Sequence, residues 1–306
     1  MIIITASLHS LFTETLSEKG IAYNYQPGIS YQALLPLMKD ATGLVVSTHI
    51  KVDSNLIDHA PNLQWIGRLG SGMEHIDTAY AAGKNIRCHS SPEGNCNAVA
   101  ELAIGSLLSL LRNIHLSQAE VKQSIWQREK NRGTELGGKT LGIIGFGNTG
   151  SSFAKLLQSF DVRVLVYDKY KPDASEYGVI SASLSTIKKE CDIISFHLPL
   201  TNETAYFADS VFLDELDKNP LIINTSRGSV VDTRALIEAL NAGKISGAVL
   251  DVLENENLNH LSAKEKKDFN DLIQDPRVII TPHIAGYTKE ATYKMSKILL
   301  EKIGFL

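Results

Sequence analysis

Three kinds of polar residue, each just beyond a run of apolar ones, raise the chemical question in this chain. Arg227 follows Leu221-Ile-Ile-Asn-Thr-Ser, Glu254 and Glu256 follow Gly247-Ala-Val-Leu-Asp251, and His283 follows Val278-Ile-Ile-Thr-Pro. Such runs read as buried strands, and in a doubly wound sheet their carboxyl ends share one edge. An arginine placed there can grip a carboxylate with two parallel hydrogen bonds and polarise an adjacent keto oxygen. A histidine can give a proton to that oxygen as hydride reaches the carbon, and take it back in reverse. A neighbouring glutamate favours the charged imidazolium and raises the histidine pKa. Taken singly, Arg227 reads as a surface ion pair and His283 as one satisfied loop histidine among nine. Their joint placement points to carbonyl and alcohol redox chemistry, with the hydride carried by a nicotinamide.

The elements that must position these residues begin at a glycine-rich turn. Leu141 to Ile144 reads as a buried strand, and Gly145, Gly147 and Gly150 fit the G-x-G-x-x-G spacing. Phe153, Leu156, Leu157 and Phe160 then fall on one face of a helix. Glycine permits the tight turn and the close approach of backbone to a pyrophosphate, and the helix N-terminus supplies unpaired N–H groups. Val162-Arg-Val-Leu-Val-Tyr-Asp168 reads as the next strand, ending in a carboxylate suited to a ribose diol. Asp168 argues for NAD over NADP, because it would repel a 2′-phosphate; Lys169 and Lys171 follow closely and pull the other way.

Strands are expected near 141–145, 162–168, 192–197, 221–224, 246–250 and 278–281, six in all, as two mononucleotide-binding halves require. Before them, apolar runs at Ile2–Thr5, Ile21–Tyr25, Gly43–Val46, Trp65–Leu69 and Asn85–Cys88 alternate with helical segments, a parallel doubly wound pattern. A long helical stretch, Asn97 to Arg128, joins the two series, and a helix over Lys289–Ile303 closes the chain. The expected fold is therefore α/β with two doubly wound parallel-sheet domains. Residues 1–96 with 287–306 form a flavodoxin-like substrate (catalytic) domain, and residues 97–286 form a Rossmann NAD-binding domain. Ligands of such sheets lie at the carboxyl ends of strands, so a cleft between the domains is the expected site.

Composition narrows the alternatives. The 306 residues carry 34 acidic and 30 basic side chains, a net charge of −4, which supplies no basic field for nucleic acid and no polybasic membrane patch. Hydrophobic residues at 43 % and charged residues at 21 % are ordinary for a globular protein. Cys88, Cys96 and Cys191 lack metal-site or disulfide spacing and suggest reduced thiols in a cytoplasmic setting, with no metal site. Met1-Ile-Ile-Ile-Thr-Ala reads as a first strand, with no basic signal region, and no apolar stretch is long enough to span a membrane. Cys96 reads as a partly buried structural thiol, and Lys264-Glu-Lys-Lys-Asp268 as a solvated helical face.

The motifs together resemble the D-isomer-specific 2-hydroxyacid dehydrogenases over nearly the whole chain. Gly138-Lys-Thr-Leu-Gly-Ile-Ile-Gly-Phe-Gly-Asn-Thr-Gly150 resembles the family's cofactor fingerprint. His197-Leu-Pro-Leu-Thr-Asn-Glu-Thr204, Asn224-Thr-Ser-Arg-Gly-Ser-Val-Val-Asp232 and Thr281-Pro-His-Ile-Ala-Gly286 resemble its other signatures. The resemblance implies that Arg227 binds substrate, that His283 is the acid/base and that Glu256, five residues after Asp251, is its partner in preference to Glu254. It implies NAD contacts from Gly145, Gly147, Asn148, Thr149, Gly150, Asp168, His197, Pro199, Thr204, Thr225, Ser226, Asp251, Ala285 and Gly286. It implies substrate contacts from Thr48, from Ser71 and Gly72 in Leu69-Gly-Ser-Gly72, and from Asn95. It further implies a homodimer through the NAD-binding domain, and a first domain completed by the C-terminal helix.

Within the family the chain looks most like the short form of the D-3-phosphoglycerate dehydrogenases of serine biosynthesis, on Gly67-Arg-Leu-Gly-Ser-Gly-Met-Glu-His-Ile-Asp77 and Met295-Ser-Lys-Ile-Leu-Leu-Glu-Lys. That form implies no regulatory domain after Leu306. Two departures stand out. Phosphoglycerate enzymes commonly have an arginine where this chain has Ser47 or His49, which leaves Lys51, Arg68 or a subunit neighbour to meet a phosphate. The family's proline after the glutamate is Asn257, and a polar stretch of extra length runs to Asp275. The competing expectations are a glycerate, hydroxypyruvate or glyoxylate reductase and, in another class, an NAD(H)-sensing binding protein. Formate dehydrogenase fits less well, because formate needs no acid/base pair.

Overall fold

The computed structural model describes all 306 residues, which divide into two compact units, Met1–Cys96 with Tyr287–Leu306, and Asn97–Gly286. In the first unit five parallel strands, β1 (Ile2–Ile4), β2 (Tyr23–Tyr25), β3 (Gly43–Val46), β4 (Trp65–Arg68) and β5 (Arg87–Ser90), lie in the order β2-β1-β3-β4-β5. The inner strands β1, β3 and β4 are buried throughout, which is why they read as unbroken apolar runs. The helix Lys289–Lys302 returns to this unit. Its Leu299 and Leu300 are fully buried, Ser296 accepts from the amide of His9 at 3.1 Å, and Lys302 reaches Glu93 at 2.8 Å. A Cβ on Gly94 would lie 2.5 Å from the backbone nitrogen of Met295, so the return depends on glycine there.

The second unit is a seven-stranded parallel sheet of β6 (Thr140–Ile144), β7 (Arg163–Tyr167), β8 (Ile180–Ser181), β9 (Ile193–Phe196), β10 (Leu221–Asn224), β11 (Gly247–Leu250) and β12 (Val278–Ile280). Their order, β12-β11-β10-β9-β6-β7-β8, reverses direction between β6 and β9, the switch point at which such sheets bind nucleotides. Successive residues of β6 face opposite cores. Ile144 packs with Phe196, Phe212 and Leu236, and Ile143 with Leu107, Phe153 and Leu157. Burial on both faces makes the inner strands β6, β9, β10 and β11 legible as largely apolar runs.

Three sequence expectations need correction. Seven strands stand where six were counted; β8 is two residues long and exposed, so it carries no apolar periodicity. The long helix expected over 97–128 is two helices, Cys96–Leu111 and Ile114–Lys122, meeting at 65°. Asn113 between them is left-handed, φ 53°, a conformation asparagine tolerates better than most residues. The polar stretch before Asp275 contains a helix, Ala263–Gln274, started by a reciprocal cap between Ser262 and Glu265. It is not wholly solvated, since Asp268 is buried and takes a hydrogen bond from Arg234 at 3.2 Å. No single helix is long and apolar enough to cross a membrane.

Candidate active site

The fingerprint turn is built by glycines with distinct reasons to be glycine. Gly145 has φ 95°, and a Cβ there would lie 2.5 Å from the carbonyl oxygen of His197. A Cβ on Gly150 would lie 2.1 Å from the carbonyl oxygen of Gly145, so the helix Asn148–Leu157 can approach the strand only without a side chain. Gly147 meets nothing within 4 Å and faces open space. It is also the N-cap and offers no side chain to the helix N–H groups, so those of Asn148 and Thr149 stay available to an anion. Fully buried Phe153 and Leu157 pin this helix; truncating Phe153 would cost about 3–5 kcal/mol, comparable to a domain's whole stability. Phe160, expected on the same helical face, lies just beyond the helix end.

Asp168 closes the turn from the side. Its carboxylate accepts from the amides of Phe146 at 2.6 Å, Tyr170 at 2.8 Å and Lys171 at 3.1 Å. His197 lies beneath the turn, its ring 5.3 Å from that of Phe153 and its Nε2 2.8 Å from Ser195 Oγ. Burial pushes its pKa down to about 4, so it is neutral and unsuited to proton transfer near neutral pH. Its Nδ1 and the buried hydroxyl of Thr225 have no hydrogen-bond partner within the protein. Pro199 is exposed, and Thr204 folds the turn after β9, accepting from the amide of Thr201 at 2.8 Å. A glycine facing open space, uncapped helix amides and two buried polar atoms awaiting partners fit a dinucleotide laid across the ends of β6 and β9.

At the end of β10, fully buried Asn224 shapes the loop that carries Arg227. Its side-chain oxygen accepts from the amide and hydroxyl of Ser226 at 3.1 and 2.8 Å, and its nitrogen donates to the carbonyl of Arg227 at 3.0 Å. Arg227 itself donates to the carbonyl of Ser226 at 2.7 Å. A Cβ on Gly228 would collide with the carbonyl of Leu253 at 2.0 Å, so glycine lets the Arg227 loop lie against the segment carrying the two glutamates.

Those glutamates part company. Glu254 accepts from the amide of Thr233 at 2.8 Å and from the Tyr206 hydroxyl at 2.9 Å. Glu256 instead faces His283, with Oε2 2.9 Å from Nδ1, and both side chains are nearly half exposed. The Glu256 hydrogen bond raises the His283 pKa against an opposing desolvation, and the charge of Arg227 lowers it somewhat. Desolvation pushes the Glu256 carboxyl up, but the His283 bond and the charges of His283 and Arg227 together hold it below its ordinary value. Arginine, carboxylate and imidazole therefore act on one another electrostatically. Asp251, 1 % exposed, anchors the loop beneath them. It accepts from the Thr281 hydroxyl and from the amides of Ile284 and Ala285 at 2.9 and 2.8 Å, and its carbonyl takes the amide of His283 at 2.8 Å. Gly286 ends the unit, next to buried Ala285.

In the first unit the loop after β4 is organised by Arg68, which is 7 % exposed and donates to the carbonyls of Leu69 and Gly72. Arg68 thus shapes the backbone at Ser71 and Gly72, which corrects the expectation that it could serve as a surface cation for phosphate. Thr48 is exposed, Ser47 and His49 bond each other at 2.8 Å, and Asn95 carries a buried side-chain oxygen with no partner. Cys96 is half-buried, its thiol 3.2 Å from the carbonyl of Glu93.

Residues 104–285 match the family model described as D-isomer specific 2-hydroxyacid dehydrogenase, NAD binding domain. The chain belongs to that family. Among curated relatives, D-3-phosphoglycerate dehydrogenase of Methanocaldococcus jannaschii is 36 % identical over 305 residues, covering 99 % of this chain and 56 % of that one. The chain thus spans little more than half the length of that relative. Hydroxypyruvate reductase of Thermotoga maritima is 35 % identical over 270 residues, covering 88 % of this chain and 86 % of that one. Among solved structures, D-lactate dehydrogenase of Aquifex aeolicus complexed with NAD and lactic acid superposes with a TM-score of 0.85 at 28 % identity, covering 99 % and 94 % of the two chains.

For this dehydrogenase-family chain, four residues escaped the reading of the sequence as site components: Asn224, Ser195, Tyr206 and Glu203. Asn224 was within reach, since a polar residue ending the apolar run Leu221–Ile223 is itself a signal. Tyr206 and Glu203 become relevant only through partners distant in the chain, and Ser195 only through the buried ring of His197 two residues on.

Proposed function

We propose that this chain is an NAD-dependent D-2-hydroxyacid dehydrogenase that interconverts 3-phosphoglycerate and 3-phosphohydroxypyruvate. The observation that carries the redox reading is the 2.9 Å pairing of His283 Nδ1 with Glu256 under the charge of Arg227. The carboxylate takes the Nδ1 proton bond, which leaves Nε2 to face substrate. Arg227 holds the substrate carboxylate and draws electron density from the keto oxygen. His283, kept protonated by Glu256, delivers its Nε2 proton to that oxygen and recovers it in the reverse direction. Gly145, Gly147, Asn148, Thr149 and Gly150 hold the pyrophosphate of NAD, Asp168 its ribose, and His197, Pro199, Thr204, Thr225, Ser226, Asp251, Ala285 and Gly286 line its remaining length. The bound cofactor supplies the hydride. Thr48, Ser71, Gly72 and Asn95 complete the substrate contacts; the unpaired oxygen of Asn95 supports its part.

The phosphorylated substrate is supported by the Methanocaldococcus relative, which aligns along 99 % of the chain. A second reading, reduction of hydroxypyruvate, glyoxylate or another unphosphorylated acid, is favoured by the engagement of Arg68 inside its own loop, which leaves Lys51 as the cation of that region, and by the Thermotoga relative. NADH oxidation across a panel of 2-keto acids decides between them. A kcat/KM for 3-phosphohydroxypyruvate at least tenfold above that for hydroxypyruvate is expected; the reverse order supports the second reading. No oxidation with any 2-keto acid would sink both and leave NAD(H) sensing.

A homodimer through the NAD-binding unit belongs to the same proposal. The helix Ile114–Lys122 buries none of its residues, and Ile114, Val121 and Trp126 are 55 %, 47 % and 78 % exposed. Sedimentation of the chain at twice the monomer mass is expected, and Trp126→Glu should shift it toward monomer.

A further inference from the structure

In a dinucleotide-binding sheet the residues just past the second strand decide whether the ribose carries a hydroxyl or a phosphate. This chain sends a mixed signal there, Asp168-Lys-Tyr-Lys171. The carboxylate repels a 2′-phosphate, and two lysines within three residues would attract one. Both lysines are engaged. Lys171 Nζ donates to the carbonyl of Phe146 at 3.1 Å, inside the fingerprint turn. Lys169 Nζ donates to Glu203 Oε2 at 2.7 Å, and the Tyr170 hydroxyl donates to the same oxygen at 3.1 Å. Lys169 also lies 5.6 Å from the centre of the Tyr170 ring.

Glu203 comes from the turn after β9, across the switch point from Asp168. Its placement is built into that turn: its amide donates to Thr201 Oγ1 at 3.3 Å, and Thr204 Oγ1 donates to the carbonyl of Pro199. With Glu203 present, the charges of Asp168, Lys169, Lys171 and Glu203 cancel. Without it, the group that includes the ribose-reading carboxylate carries one net positive charge. We propose that Glu203 is a cofactor-specificity residue: by occupying Lys169 it removes the cation that would otherwise accommodate a 2′-phosphate, and so reinforces the preference of Asp168 for NAD. The inference rests on the binding of NAD at the fingerprint turn.

Lys169 and Glu203 are each 58 % exposed, so solvent and salt screen the pair and the effect is modest. The test is fluorescence titration of the full chain with NADH and with NADPH, at low and high salt. Glu203→Gln is expected to lower the ratio of the NADPH Kd to the NADH Kd about fivefold at low salt, with less effect at high salt. Adding Lys169→Ala to that variant should restore the original ratio. A ratio unmoved by Glu203→Gln overturns the proposal, as does a fall that persists without Lys169. If the unaltered chain binds neither nucleotide, the cofactor assignment itself fails and this inference falls with it. If it binds NADH and the ratio does not move, this inference alone fails.

Discussion

Of the three carboxylates that follow β11 within six residues, Asp251 and Glu256 have opposite surroundings. Asp251 is buried, and its side chain accepts three hydrogen bonds from the segment Thr281–Ala285. Glu256 is nearly half exposed and turns toward one imidazole. The first is a fastener whose charge is consumed by backbone and hydroxyl donors. The second is a partner whose charge can respond to the protonation of His283. What separates them is the strain at His283, a non-glycine residue at φ 54°. That conformation costs on the order of 1 kcal/mol and persists only where surroundings overdetermine it. Asp251 supplies the overdetermination, which leaves Glu256 to tune the proton. One sheet edge thus divides holding the histidine from charging it.

The division is broken most severely at the histidine itself. His283→Ala should lower kcat for 2-keto acid reduction by about 10³-fold, the scale of a lost acid/base group, while NADH binding is retained by fluorescence titration. Turnover within tenfold of the unaltered chain would remove His283 from the chemistry. Next comes the fastener. Asp251→Asn keeps the volume but turns an amide NH2 toward donors that need an acceptor. A loss of about 2–3 kcal/mol in denaturant unfolding is expected, the cost of leaving a buried donor unsatisfied. A fall of about 10²-fold in kcat should accompany it as His283 leaves its geometry, since misplacement by about 1 Å has that effect. A variant as stable as the parent, with unchanged turnover, would show that Asp251 does not hold the loop.

The same contrast explains what could be read from the chain alone. β6, β9, β10 and β11 are legible because burial on both faces makes each a largely apolar run, and Arg227 and His283 stand out as polar residues just past such runs. β8 leaves no trace because Ile180 and Ser181 are exposed. The break at Asn113 is equally silent, because the apolar spacing continues through Ile114 while the backbone turns left-handed. Spacing left Glu254 and Glu256 equivalent, and only the Tyr206 hydroxyl and the Thr233 amide tie the first of them down. Arg68 misled for a related reason. A basic residue in a glycine-rich loop reads as a ligand for anions, yet Nε and Nη1 of Arg68 donate to the carbonyls of that loop. Residues whose partners lie far along the chain, or in the loop they fold, are where one-dimensional reading runs out.

The mildest change tests the tuning carboxylate. Glu256→Gln retains the shape and a hydrogen bond to His283 but removes the charge. In the parent, the raised His283 pKa gives the pairing a contribution that is complete below the ordinary imidazole value of 6.5 and fades as pH rises through the folded value. The depressed Glu256 pKa gives a contribution present above the ordinary 4.5 and lost as pH falls through its folded value. The ion pair is therefore fullest between about pH 4.5 and 6.5. On the proposed mechanism reduction needs the imidazolium, so its rate is expected to fall on the alkaline side as His283 loses its proton. Removing the Glu256 charge lowers the His283 pKa, and the alkaline limb of kcat/KM for the keto acid must move to lower pH. At neutral pH the rate should drop about tenfold, while the oxidation direction, which needs neutral imidazole, is affected less. An alkaline limb that stays in place would mean that His283 is charged by something other than Glu256, and that Glu256 resembles Asp251 after all.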